Sequence, residues 1–175
     1  AGVPIDNLQT VTEAPGWYHP GRSGTLNLGP KTVIAAFGEI HPGVLAKMYV
    51  KGPIAGFEVY LDNLAKQRKN KGTTRSLLKL SQFHGVNRDF AFVVENGVSA
   101  DALMRAARSA DKALISDVSV FDLFQGGNLG EGRKSLALSI TLQPTEKTLT
   151  DSEIDVVCSK IIAAVEKATR GTLRY

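Results

Sequence analysis

Asp122 and Phe124 lie two residues apart in the run Val120-Phe121-Asp122-Leu123-Phe124, and Ser135 stands just beyond the turn that follows. A carboxylate accepts hydrogen bonds, an aromatic ring offers a stacking face, and a hydroxyl can donate or accept. Side by side on a strand, these groups form a surface that recognises a ligand rather than one that breaks bonds. The strand context comes from alternation. Leu136, Leu138, Ile140 and Leu142 fall on one face of the second run, and Ser135, Ala137, Ser139 and Thr141 on the other. That period of two marks a strand with one face buried. The segment between the two runs, Gln125 to Gly132, holds four glycines and is expected to be a hairpin loop. With Phe121 and Leu123 joining the leucines in the core, Asp122 and Phe124 face outward.

Other residues with reactive side chains are placed less usefully. His19, His41 and His84 are far apart in the chain, whereas zinc ligands usually come in close pairs. His19-Pro20-Gly21 and His41-Pro42-Gly43 are expected to be turns, the proline setting φ and the glycine permitting φ > 0. Cys158 falls in the stripe Ile154, Val157, Cys158, Ile161, Ile162, Val165, which suits a buried, inert thiol better than a nucleophile. No nucleophile–base pair or phosphate-cradling loop occurs in the sequence.

The 175 residues allow one medium or two small domains, and 43% apolar with 22% charged residues is ordinary for a globular chain. No apolar run is long enough to span a bilayer, the start lacks a signal-like pattern, and one cysteine fits a reducing cytosol. The net charge of +4 is uneven. Residues 1–81 carry 10 Lys/Arg against 5 Asp/Glu, and residues 82–175 carry 11 against 12. Six bases cluster between Lys66 and Lys79, which suits a solvated linker that also attracts phosphate nonspecifically.

In the first part, residues 15–30 are rich in Pro, Gly and Ser and are expected to be turns and loop. Thr32–Phe37 reads as a buried strand and Gly56–Leu61 as an alternating one, with Trp17 and Tyr18 as packing residues. So few strands make a thin core, as at the end of a larger module. In the second part, Asp89–Val94 forms a strand with Phe90, Phe92 and Val94 on one face. Ser99 caps a helix to about Ala110, and Thr150 with Glu153 forms a capping box for the last helix, which Gly171 ends. Thr172–Tyr175 is a final short strand. The order strand, helix, strand, strand, helix, strand describes an α+β ferredoxin-like βαββαβ domain over residues 82–175, after a small β-rich segment, 1–75, and a linker, 76–81.

Several motifs carry a resemblance. Trp17-Tyr18-His19-Pro20-Gly21-Arg22-Ser23, Phe37-Gly38-Glu39-Ile40-His41-Pro42 and Phe57-Glu58-Val59-Tyr60-Leu61 occur in the first part. Arg88-Asp89-Phe90-Ala91, Phe121-Asp122-Leu123-Phe124, Lys134-Ser135-Leu136-Ala137 and Thr148-Leu149-Thr150 follow in the second. In this order they resemble the C-terminal portion of the bacterial phenylalanyl-tRNA synthetase β subunit. The resemblance implies that residues 1–75 end the catalytically inactive synthetase-like module and that 82–175 form the anticodon-binding domain. It implies a cytoplasmic enzyme of two α and two β subunits, in which the separate α subunit handles phenylalanine, ATP and Mg²⁺. It assigns the first anticodon guanosine to Ala91, Asp122, Phe124 and Ser135; the basic residues Arg88 and Lys134, in the same motifs, are read as further candidate RNA contacts on their charge alone. The fragment itself would carry no catalytic residue, cofactor or metal. The family often has tyrosine at the position of Phe124, so here stacking is retained without a hydroxyl.

The residues leave some roles open. Asp122 either meets a base or pairs with Arg133 or Lys134, and Arg88 either meets phosphate or pairs with Asp89. Rivals from other classes also stand. An acylphosphatase needs an arginine in the loop after the first strand, but Glu95-Asn96-Gly97-Val98 has no base there. An RNA-recognition motif needs aromatics on the third strand, where this chain has Ser135, Ala137 and Ser139. A subunit-scaffolding module without RNA binding is a further alternative.

Overall fold

The computed structural model describes residues 8–64 and 81–174, and the chain divides into two compact units, Ala1–Ser76 and Leu77–Tyr175. The basic cluster at 66–79 lies outside the described residues.

The first unit is a four-stranded antiparallel sheet in the order β1 (Leu8–Val11), β2 (Tyr18–Leu28), β3 (Thr32–Ile40), β4 (Ala55–Val59), with a short helix α1 (Pro42–Lys47) after β3. The stretch 15–30, expected to be loop, is instead mostly the long strand β2. Tertiary pairing overrides its composition: β2 is hydrogen-bonded on both sides, by β1 and β3. The register shifts between Tyr18 and Ser23, so Pro20 and Gly21 sit in a bulge rather than a turn. His19 Nδ1 accepts from Gly21 N at 3.0 Å within that bulge. The second triplet is also no simple turn. His41 caps α1, its Nδ1 accepting from Gly43 N at 3.0 Å, with Pro42 at the first helical position. Tyr18, Thr25, Ile34, Ala36 and Leu45 are buried. Trp17 is half exposed, its Nε1 donating to Glu58 Oε1 at 2.6 Å, and Tyr18 donates to the same oxygen at 3.3 Å. Burial, then the Glu58 carboxylate, push the Tyr18 hydroxyl pKa upward.

The second unit is the expected ferredoxin-like arrangement. Its sheet has the order β6 (Ile115–Gln125), β7 (Arg133–Leu142), β5 (Val86–Glu95), β8 (Thr172–Arg174), every pair antiparallel. Helices α2 (Ala100–Ser109) and α3 (Asp151–Thr169) share one core with it. Phe90, Phe92 and Val94 of β5 and Leu136, Leu138, Ile140 and Leu142 of β7 face Leu103, Ala107, Ile154, Val157, Ile161 and Val165 of the helices. Burying each large side chain contributes about 1.5–3 kcal/mol. Cys158 packs partly buried against this core, and desolvation holds its thiol pKa up despite the opposing field of Arg88. That keeps the thiolate scarce at neutral pH.

The helix ends follow local rules. Ser99 Oγ accepts from Ala102 N at 3.1 Å. In the capping box, Thr150 Oγ1 accepts from Glu153 N at 3.4 Å, and Thr150 N donates to Glu153 Oε2 at 2.9 Å. Lys147, hydrogen-bonded to the Glu153 carboxylate, is the first cause that lowers its pKa from 4.5 to about 2, and the Thr150 bonds add to it. A depressed carboxyl pKa stabilises the fold above the unfolded value, and that contribution is lost as pH falls through the folded value. The urea midpoint of the wild type should therefore exceed that of Glu153→Gln at pH 6, and the gap should shrink between about pH 4.5 and pH 2. A gap that does not change with pH would mean that the carboxylate adds nothing beyond the amide's caps.

At the other end of α3 the left-handed residue is Arg170, with φ 54°, and not Gly171. Gly171 is required for a different reason. A Cβ there would lie 2.6 Å from Val94 Cγ1 and 3.2 Å from Val93 O, because β8 enters the sheet edge directly against β5.

Candidate functional site

One face of the second sheet carries no helix, and cross-strand register defines what lies on it. Asp122, Ala137, Ala91 and Arg174 form one row across β6, β7, β5 and β8. Phe124, Ser135, Val93 and Thr172 form the next. Neighbours in a row are one strand spacing apart, so each row is a continuous strip of side chains.

Asp122 and Phe124 reach this face through a bulge. Val118 pairs with Ile140 and Val120 with Leu138, which puts these even-numbered residues of β6 on the core side. The register then shifts between Val120 and Asp122, so the extra residue Phe121 turns the following even positions outward. Phe121 and Leu123 do not join the core as expected; they are 59% and 54% exposed. Leu123 pairs with Leu136 on the helix side, but Leu136 is buried in the core and Leu123, on the edge strand, does not pack against it. Gly126, Gly127, Gly130 and Gly132 in the loop all take positive φ, as the hairpin turn requires.

The candidate residues fall into two groups. Ala91, Asp122, Phe124 and Ser135 share the open face. Asp122 is exposed and, among the described residues, neither hydrogen-bonds nor pairs with Arg133 or Lys134. Phe124 is 43% exposed. Ser135 is only 4% exposed, flanked in its row by Phe124 and Val93, so it forms floor rather than rim. Arg88 and Lys134 lie elsewhere. By register both share the helix-side parity, Arg88 opposite Ile140 and Lys134 opposite Val94. Lys134 Nζ donates to Asn96 O at 2.9 Å, and Arg88 Nη1 donates to Asn87 O at 3.0 Å, without an Asp89 ion pair.

Sequence reading missed Arg174. Its guanidinium carbon lies 5.5 Å from the centroid of the Phe124 ring, so it reaches across the alanine floor from the opposite edge strand. The signal was available: Leu173 packs against the core, and alternation within Thr172-Leu173-Arg174 sends Arg174 outward.

The remaining features of the described residues offer less chemistry. No group of three or more His, Cys, Asp and Glu converges to hold a metal ion. No helix is long and apolar enough to cross a membrane. A cleft of about 590 Å³ between α3 and the segment after β7 has apolar walls of Leu114, Pro144, Leu149 and Val156, and of its charged residues Lys147 pairs with Glu153 and Lys160 with Asp111.

Comparison with known proteins places both units in families. The family "Ferredoxin-fold anticodon binding domain" matches residues 81–174, and the family "Phenylalanyl tRNA synthetase beta chain CLM domain" matches residues 1–61. The phenylalanine–tRNA ligase β subunit of Paramagnetospirillum magneticum is 59% identical over 99% of this chain and 22% of its own length. The same subunit is 58% identical in Rhodospirillum rubrum and 48% identical in Mesorhizobium japonicum, each over 99% of this chain and 22% of its own length. The chain thus spans about a fifth of the length of these relatives. With both units matched in order and an open, helix-free sheet face in the second, the chain belongs to the phenylalanine–tRNA ligase β-subunit family, as a stretch that joins its CLM domain to its ferredoxin-fold anticodon-binding domain.

Proposed function

We propose that the open face of the second sheet binds the anticodon of tRNA(Phe), and that its first base, a guanine, lies over Ala91 and Ser135 beside Phe124 and Asp122. The observation that carries this reading is Asp122, an exposed carboxylate without a cation partner among the described residues, one row from an exposed ring. A carboxylate only accepts hydrogen bonds, and the guanine Watson–Crick edge offers N1–H and N2–H donors. Unstacked single-stranded bases are held in this way, by a ring face and by contacts to the base edge. The chain would serve within a cytoplasmic phenylalanine–tRNA ligase of two α and two β subunits, in which a separate α subunit attaches phenylalanine using ATP and Mg²⁺. Phosphate attraction supplies most of the affinity, so binding by this stretch alone is weak and salt-dependent.

The test is fluorescence anisotropy of a labelled tRNA(Phe) anticodon stem-loop, against a loop changed only at the first anticodon base, at low and moderate salt. Wild-type protein should prefer guanine, and Asp122→Ala should cost about 1–3 kcal/mol on the guanine loop and little on the other. Equal binding of both loops by the wild type, or no binding at low salt, would overturn the reading.

A subunit-scaffolding role has its own support in the first unit. There Phe57 is 78% exposed on the same face of β4 as the exposed Val59, Leu61 follows them, and Met48 and Tyr49 after α1 are exposed as well, more large apolar side chains than a free surface usually shows. This role is compatible with RNA binding by the second unit.

A further inference from the structure

We infer that Arg174 is a base-reading residue of the open face and donates to the O6/N7 edge of the guanine whose adjoining N1–H and N2–H donors Asp122 reads. This rests on the anticodon reading above and names a residue that the candidate set lacked. Asp122 and Arg174 are the two ends of a single cross-strand row, with only Ala137 and Ala91 between them. Their backbones stand three strand spacings apart, about 14 Å, so two inward-reaching side chains leave room for one flat ring above the alanines. The charges are of opposite kind. A carboxylate accepts, and a guanidinium donates through a planar fork that matches the paired acceptors O6 and N7 of guanine. Adenine presents an amino group where guanine has O6 and meets neither end of the row correctly.

The free protein already holds Arg174 over this floor. Its guanidinium covers the Phe124 ring at 5.5 Å, and no carboxylate pairs with it among the described residues. The planar cation thus occupies the stacking face intended for the base, in line with the small residues beneath. On binding, the base takes the ring, and the fork moves along its edge to O6 and N7.

The experiment uses the whole 175-residue chain and three stem-loops that carry guanosine, 7-deazaguanosine or adenosine at the first anticodon position. The 7-deaza base keeps the Watson–Crick edge and lacks only the N7 acceptor. Wild-type protein should bind it about 3- to 10-fold more weakly than guanosine, the effect of one lost hydrogen bond. Arg174→Ala should bind both alike while still preferring guanosine to adenosine through Asp122. Arg174→Lys, which keeps the charge without the fork, should recover overall affinity but not the 7-deaza difference. Unchanged urea midpoints in both variants, expected for an exposed side chain, exclude misfolding. A 7-deaza penalty that persists in Arg174→Ala, or an Arg174→Ala loss equal on all three loops, would overturn the assignment and leave a phosphate contact, with the anticodon reading intact. If the wild type does not distinguish guanosine from adenosine, the anticodon reading itself fails, and this inference with it.

Discussion

Deletion of Phe121 should leave both the fold and base selectivity in place, although it removes a residue from the middle of a strand. The bulge between Val120 and Asp122 adds one residue to β6 relative to β7, and removing it restores a strict two-residue period. Val120 pairs with Leu138 and Asp122 with Ala137, which are neighbours on β7, so the segments before and after the bulge join in their existing registers. Val118 and Val120 stay on the core side, and Asp122 and Phe124 stay on the open face. The expected result is a preference for guanine over the control loop like that of the wild type, with only a modest change in the urea midpoint. Phe121→Ala keeps the extra residue and should also retain selectivity. A deletion variant that binds both loops alike would show that the bulge itself, and not the register on either side of it, shapes the site.

Gly171→Val should produce the largest loss of stability from a single substitution at the sheet edge. The first atom of any side chain there meets Val94 Cγ1 at 2.6 Å and Thr169 Oγ1 at 3.0 Å, and Val94 is held at 2% exposure in the core. Such overpacking typically costs about 1–3 kcal/mol, and a branched side chain lies at the upper end. The neighbouring Arg170→Gly should act in the opposite direction, because its φ of 54° burdens any residue with a Cβ. Urea midpoints measure both. The functional consequence follows from register: β8 pairs Arg174 with Ala91, so pushing this strand off β5 also withdraws Arg174 from Phe124. Gly171→Ala with an unchanged midpoint would show that β8 is not seated this closely.

Local pattern alone determined much of this protein. The alternation of Leu136, Leu138 and Ile140, the stripe from Ile154 to Val165 and the Thr150–Glu153 box each arise from interactions within one element, and the structure reproduces them. The element order they define is enough for the ferredoxin-like fold, and the motif order was enough for the family. Pairing between distant segments decided the rest. Composition marked residues 15–30 as loop, but hydrogen bonding from β1 and β3 on both edges makes β2 a strand. The five residues from Val120 placed Asp122 and Phe124 outward, yet only the register against β7 shows that a bulge does this and that Phe121 and Leu123 stay exposed. Arg88 and Lys134 look like natural phosphate contacts in the sequence, but the parity of their strands turns them to the helix side. Arg174 joins Phe124 across 50 residues of chain because strand order puts β8 and β6 at opposite edges of one sheet and the alanines between them are small. Periodicity tells which face of its own strand a residue occupies; which residues share that face is set by strand order and register, and those are fixed only when the whole sheet assembles.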